Sequence, residues 1–403
     1  MSDSQVQIEF DLTNVSTDID ETQNIQIPIS TSTEEFNDYA KAILELDEVP
    51  TFAYMVSSFE YPLTGSIGEL INHHSHLSAE DTLLVKAVVA LPAPEDGKTT
   101  PTDQWIQNLV VHDNKVFAGL INGDVAQHTV NANTLAITPA RTINMAEAPL
   151  RGLAVSGDRL MTGARDKSLH MATLKSAATS VPLPECPTAA VFLSKTLAVV
   201  GTESGKLYTV DIKSDEATPT LFPVEDTEHH QQTVTALAYN YPFVFSASHD
   251  GTIRQWHVND LATPRTVAPV RTMRSSSAVW AMDARQVSPQ LVTGQADGSV
   301  RVWTVPDDVN AAVHSAKLPG HRGPAAGVAF LWSSGQPFIV SGGFDCKLRY
   351  WDLRNHDAPV HELEVGHRVH CVAVAPHNES ALVLAGGAEK TMWSWVVRRP
   401  EGL

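Results

Sequence analysis

Three segments of this 403-residue chain repeat one pattern, and that repetition restricts the fold more than any other feature. They are Asp250-Gly-Thr-Ile-Arg-Gln-Trp256, Asp297-Gly-Ser-Val-Arg-Val-Trp303 and Asp345-Cys-Lys-Leu-Arg-Tyr-Trp351, with tryptophans 47 and 48 positions apart. A period of about 40–50 residues means stacked copies of one supersecondary unit, none able to bury its apolar face alone. Each copy runs from an Asp through two turn residues to an aliphatic, an Arg, a spacer and a Trp. That is a hairpin turn feeding a strand.

Weaker copies extend the series. Asn122-Gly-Asp-Val-Ala-Gln-His128, Asp166-Lys-Ser-Leu-His-Met-Ala172 and Ser204-Gly-Lys-Leu-Tyr-Thr-Val210 precede the clear ones, and Glu389-Lys-Thr-Met-Trp-Ser-Trp395 follows. Aligned on the Trp, these make seven units. A second strand precedes each turn, as in Phe243–Ser246 and Phe338–Ser341. A third precedes that, as in Val234–Ala238 and Ala326–Phe330. Short β-rich runs bounded by Gly, Asn, Asp and Pro read as antiparallel meanders.

The pattern resembles the WD-repeat β-propeller, although only Trp351-Asp352 is a literal WD and only Gly320-His321 and Gly366-His367 are literal GH pairs. The resemblance places His230, Ser246, Asp250 and Trp256 in one blade, and His321, Ser341, Asp345 and Trp351 in another, as a polar relay. Such side chains can hydrogen-bond in series and satisfy one another beneath an apolar blade. They are expected to be structural rather than a catalytic Ser–His–Asp set, because the arrangement recurs and nucleophile activation has no need to. Arg254, Arg301 and Arg349, two places before each Trp, read as scaffold in the same way.

Composition sets further bounds. The length suffices for a propeller of roughly 300 residues and one small domain. Cys186, Cys346 and Cys371 show no CxxC spacing, so neither a zinc knuckle nor a disulfide framework is indicated, which fits a reducing compartment. No apolar run is long enough to span a membrane, and the polar N-terminus does not read as a signal peptide. The formal net charge of −18 is unevenly shared: residues 1–100 hold 18 acidic and 3 basic side chains, and the remainder is nearly balanced. A domain that acidic will not engage nucleic acid through its phosphates. It can be steered toward a basic protein surface, or simply stay soluble.

The first hundred residues carry a separate pattern. Val6–Leu12 and Asn24–Ile29 read as a strand hairpin. Thr33 with Glu34, Glu35 and the apolar Phe36, Tyr39, Ala40, Ile43 and Leu44 reads as a capped amphipathic helix. Phe52–Val56 and Phe59–Tyr61 read as strands, Ile67–Ile71 as a helical turn and Leu83–Val89 as a final strand. This order is that of the ubiquitin-like β-grasp. The expected organisation is a ubiquitin-like domain at 1–91, a Pro-rich linker at 92–102 and a seven-bladed WD40 propeller at 103–403, mainly β throughout. Val89–Ala93 is an alternative source for the strand that closes the last blade.

A ubiquitin-like domain followed by a seven-bladed propeller resembles the Ytm-type WD-repeat ribosome-biogenesis proteins. These are subunits of a complex with pescadillo and the block-of-proliferation protein. Local points of resemblance are Leu77–Val85, Asp103-Gln-Trp-Ile106, and Phe344–Arg354 followed by Ala358-Pro359. The resemblance implies a non-enzymatic assembly factor for the large (60S) ribosomal subunit, needed for 25S/28S and 5.8S rRNA maturation, in the nucleolus and nucleoplasm. It implies contact with the block-of-proliferation (Erb-type) propeller and indirectly with pescadillo (Nop-type), within the pre-60S particle and away from any membrane. It also implies release by the midasin AAA ATPase. Glu80 would complete the Mg²⁺ site of midasin in trans, with Asp81 one residue on as the competitor; the chain would hold no cofactor of its own. A hard Mg²⁺ with one open coordination place suits an exposed carboxylate. On the residues alone, Ser78 and Asp81 could instead cap a turn and leave Glu80 solvated. Alternative readings are a Notchless-type assembly factor, which would carry eight more uniform blades, and a ubiquitin-ligase or signalling adaptor. The adaptor would present an apolar patch on the ubiquitin-like sheet and be indifferent to Glu80. His73-His74-x-His76 lies in an expected turn without a partner Cys and reads as no metal site.

Overall fold

The computed structural model describes residues 5–12, 22–44, 52–56, 61–63, 65–73, 78, 82–95, 97–212, 220–224, 229–261, 267–285, 289–306, 308, 311–332, 337–354, 358–377 and 379–400. Two compact units emerge, one formed mainly by Met1–Ala93 and the other by Pro94–Trp351 with His356–Val397.

The first unit follows the expected element order: β1 (Gln5–Asp11), β2 (Gln23–Pro28), α1 (Thr33–Leu44), β3 (Phe52–Val56), β4 (Tyr61–Pro62), α2 (Ile67–His73) and β5 (Leu83–Val89). The sheet order is β2-β1-β5-β3-β4, with β1 and β5 parallel in the middle. Period-two alternation turns Val6, Ile8 and Phe10 inward, onto Phe36 of α1 and Tyr54 of β3. The helix cap is Ser32 rather than Thr33. Ser32 Oγ accepts from Glu35 N at 3.4 Å, and Glu35 reaches back to Ser32 N at 2.7 Å. Ser66 and Glu69 repeat this reciprocal cap on α2. Tyr39, read as part of the apolar face, stands 37% exposed and reaches Phe36 only edge-on.

Among the described residues, the second unit contains seven four-stranded antiparallel sheets. Their inner strands are Ile106–His112, Leu150–Ser156, Pro187–Phe192, Val234–Asn240, Val279–Ala284, Ala325–Phe330 and Val369–Pro376. Each inner strand packs against the next, and the seventh returns to the first, so the sheets form a closed ring. The seventh sheet is completed by Lys98–Pro101, which pairs with Thr391–Arg398. That strand comes from the stretch read as a linker, and Val89 instead belongs to β5. Joining the first strand of the unit to its last leaves the ring without an open end.

The repeat pattern explains the hairpins. Gly251 at φ +79° and Gly298 at φ +84° occupy the turn position after the repeated Asp, where a left-handed backbone is required, and Cys346 takes it at φ +65°. The tryptophans that follow are buried: Trp256 1%, Trp303 4%, Trp351 0% and Trp395 4% exposed. His128, Ala172 and Val210 fill the same position, also buried, in the first three sheets.

Candidate functional site

Two groups of residues bear on function: the relays beneath the sheets, and the cavity the ring encloses. In the fourth sheet Trp256 Nε1 donates to Ser246 Oγ at 2.9 Å, and Ser246 Oγ lies 2.7 Å from His230 Nε2. Thr252 Oγ1 gives its own hydrogen to Asp250 Oδ1 at 2.6 Å, so it accepts from His230 Nδ1, and the Ser246 hydroxyl donates to Nε2. The histidine proton is therefore on Nδ1, shared between Thr252 Oγ1 at 2.8 Å and Asp250 Oδ2 at 3.3 Å. Asp250 also accepts from Thr252 Oγ1 and from the Gln231 and Thr252 backbone. Burial pushes its carboxyl up, but these donors outweigh that and hold it far below the usual carboxylate range.

The sixth sheet repeats the device. Trp351 Nε1 donates to Ser341 Oγ at 2.9 Å, which meets His321 Nε2 at 2.8 Å, and His321 Nδ1 meets Asp345 Oδ1 at 2.8 Å. Arg349 donates to Asp345 at 2.7 Å and pairs with Glu362 at 2.8 Å. Burial opposes ionisation of Asp345, yet the Arg349 and His321 bonds bring its carboxyl down to about 2. Burial lowers the His321 pKa, only partly offset by Asp345. Both His side chains are fully buried, so neither can act as a base on a ligand.

The other sheets carry fragments. In the fifth, Trp303 Nε1 donates to Thr293 Oγ1 at 2.9 Å, while Ser299 Oγ, at the position of Thr252, bonds Gln295 Oε1 and Asp297 Oδ1. Thr252 and Thr293 escaped the sequence reading because a hydroxyl can sit at two positions in this network. In the seventh sheet Ala385 stands where the bridging hydroxyl would be, and His367 Nε2 is buried without a protein partner. The second sheet keeps a His170–Asp166 pair at 3.0 Å, and in the third Glu185 accepts from Thr202, Ser204 and Lys206. Arg301 lies 5.6 Å from the Trp303 ring and bonds Ser315.

The cavity was not foreseen. It measures about 390 Å³ and is lined by all seven inner strands. Each inner strand carries a register shift near its start, across one residue in six sheets and between Leu150 and Leu153 in the second. A bulge leaves one residue out of the ladder and re-aims its side chain. The re-aimed residues are Gln107, Arg151, Thr188, Thr235, Trp280, Ala326 and His370, and all line the cavity. Thr188 and Thr235 use their hydroxyls to hook the next sheet, at Val234 O (2.6 Å) and Val279 O (2.9 Å). Continuing from the fourth sheet to the seventh, His249, Trp280, Phe344 and His370 form a chain of ring contacts with centroids 5.3, 5.3 and 5.5 Å apart. Arg368 Cζ lies 5.7 Å from the Phe344 ring. Burial lowers the pKa of both His249 and His370. The sequence did hold a signal for this arc. His249 and Phe344 directly precede the repeated Asp, and Trp280 and His370 directly follow a valine that opens an inner strand.

Glu80 and Asp81 lie outside the described residues, as do His74 and His76. What is described is the frame downstream: Leu83 is 3% exposed and pairs with Ile8. Among the described residues no group of three or more His, Cys, Asp or Glu could hold a metal, and no helix is long and apolar enough to cross a membrane.

Comparison with known proteins agrees with the repeats. The WD40 family (WD domain, G-beta repeat) matches residues 222–257, 268–304 and 313–352, the fourth to sixth repeats. A ribosome biogenesis protein WDR12 homolog of Drosophila mojavensis is 20% identical across 90% of this chain and 88% of its own. The WDR12 homolog of Chlamydomonas reinhardtii is 24% identical across 86% of this chain and 84% of its own. The human angio-associated migratory cell protein is 26% identical but covers 49% of this chain.

Proposed function

We propose that this chain, a WD-repeat protein of the WDR12 ribosome-biogenesis type, is a non-enzymatic assembly factor for the large ribosomal subunit. The observation that carries this is the extent of the likeness. A match over 90% of the chain is more than the second unit alone could supply, so it includes the first unit as well. Relatives that share only repeats match half the chain or less.

In this reading the ring is a seven-bladed propeller that docks on the block-of-proliferation (Erb-type) protein, and through it on pescadillo, in the pre-60S particle. The first unit is a ubiquitin-like domain; its β2-β1-β5-β3-β4 order with a parallel central pair is that of a β-grasp. The protein works in the nucleolus and nucleoplasm, and 25S/28S and 5.8S rRNA maturation depends on it. Glu80, three residues before the buried anchor Leu83, presents its carboxylate to the Mg²⁺ of midasin, which pulls the complex off the particle. Asp81 is the neighbouring alternative. An adaptor finds no apolar patch on β1 and β2, whose outward positions include Gln5, Gln7, Glu9, Asn24 and Gln26, although β3 and β5 add Ala53 and Leu84 to that face. An eight-bladed Notchless-type factor is less well supported by seven sheets.

The test is binding of Glu80→Ala to the metal-site domain of midasin, with Mg²⁺ and with a chelator. Binding should be lost in the variant and in the chelated sample, while association with the Erb-type partner persists. Undiminished binding by the variant removes Glu80 from the role.

A further inference from the structure

We propose that the ring cavity is a binding site for single-stranded RNA, taking one unpaired base between the His249–Trp280–Phe344–His370 arc and the opposite wall, with a flanking phosphate on Arg368 or Arg151. This goes beyond the assembly-factor reading and does not draw on Glu80.

The argument begins with the bulges. Seven departures from strand register, one near the start of each inner strand, turn seven side chains into one space. On one side those side chains serve the scaffold, since Thr188 and Thr235 hook neighbouring sheets. The other side places four rings in succession across four sheets, all half-buried. A base offers a flat π-face that such rings can stack on whatever its identity.

Charge then selects among flat ligands. The chain is strongly acidic, yet no Asp or Glu lines this cavity. Arg151 lines it, and exposed Arg368 sits at the edge of the arc over Phe344. A cationic guest would be repelled by these guanidinium groups, whereas a phosphate-bearing one would pair with them. His249 and His370, with pKa values lowered by burial, stay neutral at physiological pH and offer both a donor and an acceptor, as a base edge requires. An acidic peptide would use cations at fixed spacing and would leave the arc of tilted and edge-on rings unused. The volume of about 390 Å³ lies within the range of roughly 300–1,000 Å³ typical of ligand sites.

The experiment titrates the full chain into a fluorescein-labelled ten-nucleotide oligoriboadenylate, followed by anisotropy. An acidic, phenylalanine-containing peptide is titrated in parallel. Saturable RNA binding is expected, weakened about tenfold or more by Trp280→Ala, in line with the loss of one stacked base. Trp280→Phe should keep most of the affinity, which separates lost stacking from lost folding. Arg368→Ala should weaken binding and lower its salt dependence. No saturable RNA binding, equal affinity of Trp280→Ala, or binding of the peptide in place of RNA would each overturn the proposal.

Discussion

Replacing Ser341 by Ala tests whether the relay holds its sheet in the way its geometry implies. The hydroxyl joins Trp351 Nε1 at 2.9 Å and His321 Nε2 at 2.8 Å. Ser341 and Trp351 are 0% exposed, as is the His321 side chain, so water cannot take over either bond. The variant therefore leaves one donor and one acceptor buried and unpaired. Each such group costs about 1–3 kcal/mol, so the loss should be about 2–5 kcal/mol after some relaxation. All eight tryptophans lie beyond residue 100, so urea unfolding followed by tryptophan fluorescence reports the second unit alone. Trp351→Phe removes the donor at its source. In that background Ser341→Ala should be cheaper by at least about 1 kcal/mol, the worth of the lost bond. A single-variant loss below about 0.5 kcal/mol, or no coupling in the cycle, would refute the reasoning. Ser246→Ala, in the matching network of the fourth sheet, should behave alike.

Other predictions follow from the same geometry. Gly298→Ala should cost well over 2 kcal/mol, since its Cβ would lie 2.0 Å from His321 O at a positive φ, whereas Gly251→Ala, with nothing nearer than 3.3 Å, should cost only the backbone strain of about 1 kcal/mol; urea midpoints compare them. Ala385→Ser should restore the missing hydroxyl beside His367 and raise stability by about 1 kcal/mol; a lower urea midpoint would show that the site cannot take the added oxygen. Acid stability should fall in two windows. His321 resists protonation when folded, so stability declines as pH drops below about 6.5, its unfolded pKa; Asp345 is held near 2, so its contribution is complete above about 4 and is lost as pH falls through 2. Asp345→Asn should flatten the lower window in pH-dependent urea unfolding, and an unchanged profile would count against the assignment. Asp283, which burial pushes up to about 6, works in the opposite sense, so Asp283→Asn should steepen the loss between pH 6 and 4.

Much of the scaffold was legible because its signals are local. A turn that needs a left-handed backbone selects Gly, and a strand with one buried face alternates. Seven such units can be counted even where His128, Ala172 and Val210 replace the tryptophan. Capping was nearly legible: two Ser-x-x-Glu boxes mark the helix starts, displaced by one residue from the expected Thr33. The closing strand Lys98–Pro101 was not, because Lys-Thr-Thr-Pro has no apolar alternation and forms a strand only because Thr391–Arg398 offers an unpaired edge.

The sequence by itself determined that the chain repeats, that the repeats are hairpins with buried tryptophans, and that its acidity is confined to the first quarter. Only the tertiary structure decided which histidines complete a relay and which, like His367, do not. It alone showed that His249, Trp280, Phe344 and His370, up to 121 positions apart, share one wall. The reason is closure: a repeat fixes each sheet through neighbours in sequence, but the space at the centre exists only once the seventh sheet meets the first.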